Sequence, residues 1–158
     1  PAFGVIDRIA RQLDHAVPQR AHALARVRGG AEQAYRLGQA LAPLAAKGFL
    51  IIGSGSITHN LRDYQLAAMN GGQTPAYVHE FARWIADQLA AGDTEALLDY
   101  RQRAPEARRA HPSDEHLLPL YVALGAAGKT ATAERFHAGI DDYVIAMDAY
   151  AFEQGEPQ

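Results

Sequence analysis

The stretch Phe49–Asn60, with the sequence FLIIGSGSITHN, decides the fold that we expect for this chain. Its apolar run is too short for a helix and predicts a buried strand, Phe49–Gly53. Gly53 and Gly55 allow the chain to turn sharply where a side chain would clash. His59 would then follow the carboxyl end of a central strand, where α/β sheets place ligands and chemistry.

The segments around this strand are predicted to be helical, so we expect an α/β fold. Leu37, Leu41 and Leu44 keep helical spacing within residues 31–47, a helix that would lead directly into the strand. The expected architecture is a single domain in which a central sheet is flanked by helices.

After His59 the chain is expected to form a polar loop, residues 61–73, and then its clearest helix. Thr74 is the expected N-cap of that helix and Pro75 its first residue. Gly92 is expected to end it, and Asp93 to cap a further short helix.

A second histidine, His116, is predicted in the first turn of a later helix that Ser113 caps. The positive end of a helix dipole favours the neutral imidazole that metal ions bind. Pro119 lies within the same helix and is expected to kink it. Two runs, Ala131–Phe136 and Tyr143–Phe152, are predicted to be strands, the second because it is rich in aromatic and β-branched residues.

The chain is predicted to hold one domain, residues 31–152, between an unassigned segment, 1–30, and a frayed tail, 153–158. A short amphipathic helix is expected before Pro18. Gly29 ends the first segment with a glycine pair that signals a break.

Composition limits the classes of function. With 158 residues, of which 48% are hydrophobic, the chain can bury a core. Its net charge of −3 and its lack of a long apolar run predict that neither nucleic acid nor a membrane is a partner. No signal peptide is recognisable, so the cytoplasm is the expected location. Without cysteine, a metal would be held by His, Asp or Glu, as iron, manganese and zinc can be.

The histidines are the main candidates for chemistry, and each has a structural alternative. His59 follows a glycine-rich strand end, which makes a functional role for this residue as plausible as a structural one. His116 by itself fits a capping or packing residue, and the spacing of the two histidines matches no metal motif such as HExxH. His111 could contact a substrate or support the site, but we expect it to be exposed to solvent. His79 is expected on an exposed helix face and without a function.

Two further alternatives concern anions. The Gly53–Ser56 turn could cradle a phosphate, although it lacks the Lys-Ser/Thr pair of a P-loop and the third glycine of a dinucleotide fingerprint. That alternative predicts an anion at the turn and no metal. The arginines of residues 101–112 are expected in a solvated surface loop, with a carboxylate-binding patch as the alternative.

Three stretches together resemble the second half of a class III extradiol ring-cleavage dioxygenase of the DOPA 4,5-dioxygenase-like subgroup. They are Leu50–Leu61 (LIIGSGSITHNL), Pro112–Leu120 (PSDEHLLPL) and Ala146–Tyr150 (AMDAY). The resemblance runs from about Tyr35 to Phe152. It implies a single-domain α/β enzyme that uses non-haem Fe(II) and O₂ to open a catechol ring, with zinc in the same site in some members.

The resemblance also implies residue roles. His116 corresponds to a metal ligand, and His59 to the histidine that acts as acid and base toward the catechol and oxygen and is sometimes counted as a ligand. Asn60 lies beside it and is the expected substrate contact, or a residue that orients the histidine.

Two more metal-binding histidines of the family come from motifs of the type His-Gly-Ser-Pro and Ser-Ala-His-Trp, and neither motif occurs here. A partner chain or a second copy would have to complete such a site. The alternative function is a non-catalytic binding or assembly module that retains half of the fold.

Overall fold

The computed structural model describes residues 29–45 and 47–153. Predictions made for residues 1–28 and 154–158, including the helix before Pro18, lie outside the described residues. The described part combines helices with two small antiparallel sheets, so the predicted α/β class is confirmed. Among the described residues, no helix is both long enough and apolar enough to cross a bilayer.

In chain order the helices are α1 (Ala31–Ala45), α2 (Leu61–Met69), α3 (Ala76–Ala91), α4 (Thr94–Leu98), α5 (Tyr100–Arg103), α6 (Ala107–Ala110) and α7 (Leu118–Ala127). The strands are β1 (Thr132–His137), β2 (Ile140–Asp141), β3 (Ile145–Ala146) and β4 (Ala149–Glu153). Strand β1 pairs with β4, and β2 pairs with β3. The predicted strand Ala131–Phe136 is therefore confirmed as β1, and the predicted strand Tyr143–Phe152 divides into β3 and β4.

The hydrophobic core is built largely from α3, the short helices that follow it, and α7. Helix α7 (LPLYVALGAA) is apolar on every side, which is typical of a buried helix. The largest fully buried apolar side chains are Tyr100, Tyr121, Phe81, Ile85, Leu97 and Leu117. The hydroxyl of Tyr121 donates to the carbonyl oxygen of Leu97 at 2.9 Å, so this buried phenol keeps a partner.

Helices α1 and α7 pack together backbone to backbone. A Cβ added at Gly38 would clash with the carbonyl oxygen of Val122, and one at Gly125 with the carbonyl oxygen of Tyr35. The two helices approach this closely because each has a glycine at the crossing point. Gly125 lies within α7, and Gly128 is the residue at the end of the helix.

The predicted buried strand Phe49–Gly53 is wrong. The segment forms no strand, and Phe49, Leu50 and Ile52 are exposed by 45%, 60% and 64%. Within the described part of the chain, the N–H groups of residues 50–55 meet no acceptor. A short run of apolar residues predicts a strand, but a buried strand also needs other elements packed against it. Among the described residues, no such elements cover Phe49, Leu50 and Ile52.

Gly53 and Gly55 have a purpose other than a sharp turn, because neither has a positive φ. A Cβ at Gly53 would clash with the carbonyl oxygen of Pro119, and one at Gly55 with that of His116. The glycines therefore let this segment lie directly against the start of α7. The carbonyl oxygens that face it make a phosphate cradle unfavourable.

The polar loop predicted for residues 61–73 is largely helix α2. Its N-cap is Asn60, whose side-chain oxygen accepts from the backbone N–H of Asp63. Thr74 is not the cap of α3, because Pro75 occupies that position and makes no side-chain bond. The predictions for the other end of α3 are confirmed, with Gly92 in the left-handed conformation and Asp93 capping α4.

Helix α7 begins later than its sequence predicts. Leu118 is its first residue, and the hydroxyl of Ser113 donates to Glu115 instead of capping a helix. His116 therefore lies in the turn before the helix. Pro119 falls in the first helical turn, where its missing N–H has no role, so the predicted kink does not arise.

Residues 101–112 are not simply a solvated loop, since they include parts of α5 and α6. Arg101 donates to the carbonyl oxygen of His111 and forms an ion pair with Asp114. Arg109 forms an ion pair with Asp63. These two arginines therefore hold the segment to its neighbours, and Arg103 forms a longer ion pair with Asp93 at 3.7 Å.

Candidate active site

The side chains of His59 and His116 meet. Their ring centroids lie 3.7 Å apart and the ring planes differ by 21°, so the two imidazoles stack. Both residues are partly buried. The structure therefore brings together the two histidines that the sequence singles out, although neither lies in the local structure that the sequence predicts for it.

Hydrogen bonds between two distant segments bring the rings together. The N–H of Ser56 donates to the carbonyl oxygen of His116 at 2.9 Å, and the N–H of His59 donates to that of Ala110 at 2.8 Å. The segment 56–60 thus runs beside residues 109–116 and is bonded to it on either side of Ile57. The pairing is antiparallel, with Ser56 beside His116 and His59 beside Ala110, and the rings of His59 and His116 meet across the two segments.

The other edge of the segment 56–60 is bonded to β3 and the residue before it. The N–H of Ile57 donates to the carbonyl oxygen of Ala146 at 2.8 Å. The fully buried hydroxyl of Thr58 donates to the carbonyl oxygen of Val144 and accepts from the N–H of Ala146, both at 2.8 Å. His59 is therefore carried by a backbone that is held from two sides.

Asn60 is buried, and its side chain contacts the protein at both ends. Its oxygen accepts from the N–H of Asp63 at 3.1 Å, and its nitrogen donates to the carbonyl oxygen of Arg109 at 2.7 Å. The structure thus gives Asn60 a part in placing the neighbouring His59. A substrate contact by Asn60 stays a prediction.

His111 is fully buried, so its predicted exposure is wrong. Its Nε2 lies 2.6 Å from the carbonyl oxygen of Ile57, and because a carbonyl only accepts, Nε2 carries the proton. Burial lowers the pKa of His111 to about 4, despite the opposing effect of the Ile57 carbonyl. No motif marks this residue, and only its position beside the turn of His116 could have drawn attention to it.

The ionisation of His59 suits proton transfer. Burial lowers its pKa below the ordinary 6.5, and the nearby His116 lowers it further, while Glu115 acts in the opposite direction. The imidazole of His59 is therefore neutral at pH 7. A neutral, partly exposed imidazole can accept a proton from a bound molecule and return it.

The fit of these residues to a metal ion is incomplete. Imidazole nitrogen suits iron and zinc. In residues 29–45 and 47–153, however, no three His, Asp or Glu side chains lie together in a way that could hold an ion. The nitrogen lone pairs of an imidazole lie in the plane of its ring. The planes of the two stacked rings differ by only 21°, so the lone pairs point in nearly parallel planes that meet far from the rings. One ion could not be bound by both histidines in this arrangement.

A cavity of about 560 Å³ lies elsewhere on the molecule. It is lined by residues of α3 and the sheets, among them His79, Arg83, Arg135 and Asp148. Neither His59 nor His116 lines it. The volume of this cavity therefore says nothing about the space available beside the two stacked rings.

Stability is expected to fall in acid because of His111. Its pKa is 6.5 in an ordinary environment and about 4 in the folded protein, so between these values only the unfolded chain takes up the proton. The contribution of His111 to the free energy of unfolding is fully present above pH 6.5. It is lost at roughly 1.4 kcal/mol per pH unit as the pH falls toward 4. Urea unfolding at pH 7, 6 and 5 measures this slope.

The control for this experiment is a second histidine. His111→Gln should remove its part of the slope, whereas His79→Gln, on the exposed face of α3, should leave the slope in place. Equal slopes in the unmodified chain and in His111→Gln would contradict the buried, neutral state of His111.

Comparisons with known proteins identify the family of this chain. The family model described as the catalytic LigB subunit of aromatic ring-opening dioxygenase matches residues 21–152. A protein named 4,5-DOPA dioxygenase extradiol from Beta vulgaris is 41% identical over 118 residues, which cover 75% of this chain and 43% of that protein. Its namesake from Mirabilis jalapa is 41% identical over 103 residues, covering 65% of this chain and 38% of that protein.

A solved structure shares the fold. The crystal structure of the uncharacterized protein JW3007 from Escherichia coli K12 matches with a TM-score of 0.64 at 22% identity. The match covers 77% of this chain and 50% of that one. The chain thus spans half or less of the proteins that it matches. Since the family model covers most of its residues, the chain belongs to the family of the catalytic LigB subunit of aromatic ring-opening dioxygenases.

Proposed function

We propose that this chain is the part of an extradiol ring-cleavage dioxygenase that supplies the acid/base histidine and one metal ligand. The observation that carries the proposal is the stacked pair of His59 and His116 in a member of the LigB family. The proposed substrates are a catechol-type aromatic compound and O₂. The reaction class is an oxidation that opens the ring next to its hydroxyl pair.

His116 is proposed as the metal ligand. Its side chain is 41% exposed, so a nitrogen can reach an ion at the surface of the described fold. Its backbone is fixed, since its carbonyl oxygen accepts from the N–H of Ser56. The chemistry that Fe(II) supplies in such a site is to hold the catechol and O₂ side by side, and zinc is the alternative ion.

His59 is proposed as the acid/base residue. Its ring lies flat on that of His116, which favours a neighbour of the ligand over a second ligand to the same ion. In its neutral state it would accept the proton of a catechol hydroxyl and later donate it to an oxygen of the product. The role of His59 as a second ligand is the less favoured proposal, because it requires the stack to open. Asn60 would contact the substrate only if one of its two protein bonds were released.

The remaining metal ligands are proposed to come from outside the described residues. No cluster of three ligands exists among residues 29–45 and 47–153. A partner chain or a second copy would supply them, and we keep the cytoplasm as the expected compartment. The absence of a ligand, and of the residues that orient it, weakens metal binding substantially. The chain by itself is therefore expected to bind Fe(II) weakly and to consume O₂ slowly with a catechol.

The experiment that tests this function restores the missing part. A chimera carries the matched part of this chain in place of the corresponding part of the Beta vulgaris protein. Purified with Fe(II), it is expected to consume O₂ with a catechol and to form a ring-opened product, whereas the chain alone does so slowly. O₂ uptake and the absorbance of the product measure both. A folded chimera that binds Fe(II) and opens no catechol ring would contradict the proposal and favour a binding module.

A further inference from the structure

We propose that His111 is a positioning residue, whose imidazole N–H sets the backbone of His59 so that the ring of His59 stacks on His116. The inference rests on the proposed function only in that this pair of rings is taken as the reactive centre. His111 touches neither a substrate nor a metal in this role. It acts on the site through the carbonyl group of Ile57.

The first support is where the bond lies. His111 Nε2 donates to the carbonyl oxygen of Ile57 at 2.6 Å, and the N–H of His59 donates to the neighbouring Ala110 at 2.8 Å. Ala110 and His111, which are adjacent in the chain, thus bind His59 and Ile57 of the segment that carries His59. Other bonds hold Ser56, Ile57 N–H and Thr58, and the bond from His111 is the one that fixes the carbonyl group of Ile57, two residues before His59.

The second support is that His111 itself is firmly held. Its ring is fully buried and lies 5.8 Å from the ring of Phe81, and its carbonyl oxygen accepts a hydrogen bond from Arg101. A donor at the end of a rigid, buried ring fixes its acceptor more precisely than a flexible surface side chain could. His111 also begins the turn that leads to His116, so one ring connects the two segments that carry the pair.

The third support is chemical. A buried carbonyl without a donor is costly, and a neutral imidazole supplies one N–H without burying a charge. Glutamine also ends in an N–H group at a similar distance from its Cα, whereas leucine fills similar volume with no donor. The two substitutions His111→Gln and His111→Leu therefore separate the hydrogen bond from the filling of space.

The test reads the geometry of the rings directly. In NMR spectra of the whole chain, ring protons of His59 and His116 should show a cross-peak, because their centroids lie 3.7 Å apart. His111→Gln is expected to keep this cross-peak, and His111→Leu to lose it. Leu89→Ala, a core substitution eight residues beyond Phe81 on α3 that lowers stability but leaves the bond, is the matched control and should keep it.

A cross-peak that persists in folded His111→Leu would overturn the proposal, and so would its loss in folded His111→Gln. A measurement on the unmodified chain decides the matter if the leucine variant does not fold. The ¹⁵N shifts of His111 should show a proton on Nε2 at neutral pH, and a proton on Nδ1 alone would overturn the proposal. None of these readouts needs metal or turnover, so failure of the positioning role and failure of the dioxygenase function give different results.

Discussion

Replacing Gly38 with alanine is expected to lower the free energy of unfolding by about 2–3 kcal/mol. Alanine ordinarily stabilises a helix interior relative to glycine by about 1 kcal/mol. Here the added methyl group would meet the carbonyl oxygen of Val122 on α7, and a backbone group cannot move aside without moving its helix. The clash therefore outweighs the gain in helix propensity.

Urea denaturation of the chain measures this effect. Gly125→Ala, on the facing helix, should be equally harmful, because its methyl group would meet the carbonyl oxygen of Tyr35. Gly30→Ala is the control, since only the side-chain oxygen of Gln33 lies near the added Cβ, at 3.5 Å. Gly30 precedes the first residue of α1, where alanine is a poorer cap than glycine, so the expected loss in the free energy of unfolding is about 0.5–1 kcal/mol. Equal losses for Gly38 and Gly30 would show that α1 and α7 do not cross as described.

His59→Ala and His116→Ala are expected to damage the enzyme in different ways. In the chimera with the Beta vulgaris protein, loss of the acid/base imidazole of His59 should lower kcat by about 10²–10⁴-fold and leave the Fe(II) content nearly unchanged. Loss of His116 should remove the metal and, with it, the activity. The stacked geometry predicts this difference, because the rings do not point to one ion.

Metal analysis and O₂ uptake on the same preparations check this result. His79→Gln is the control, because this histidine lies exposed on α3 and outside the pair. It should change neither metal content nor turnover. If His59→Ala loses as much metal as His116→Ala does, His59 is a ligand, and the acid/base role proposed for it is wrong.

Elements with a strong local signal could be predicted from the sequence. The helices over α1 and α3 follow from the spacing of their apolar residues, and Gly92 and Asp93 mark a helix end and a helix start by their own conformational preferences. The strand β1 was predicted to within one residue at each end. Neighbouring residues decide the helix ends, so no distant contact is needed there, whereas β1 has a strong local pattern and also finds a partner in β4.

Elements that depend on distant neighbours were predicted wrongly. The apolar run Phe49–Gly53 has the pattern of a buried strand, but no strand in the described part of the chain pairs with it. His111 looks like a loop residue, and only packing against Phe81 and Ile57 buries it. Residues 61–73 are a different case, because the signal for α2 is local: the side chain of Asn60 caps the helix three residues before Asp63.

The sequence by itself singled out His59 and His116 as candidates, because each lies in a stretch that resembles the same family. Only the tertiary structure decided that their rings stack and do not aim at a common point. The reason is physical: the orientation of each ring depends on hydrogen bonds between segments 56–60 and 109–116, which are far apart in the chain.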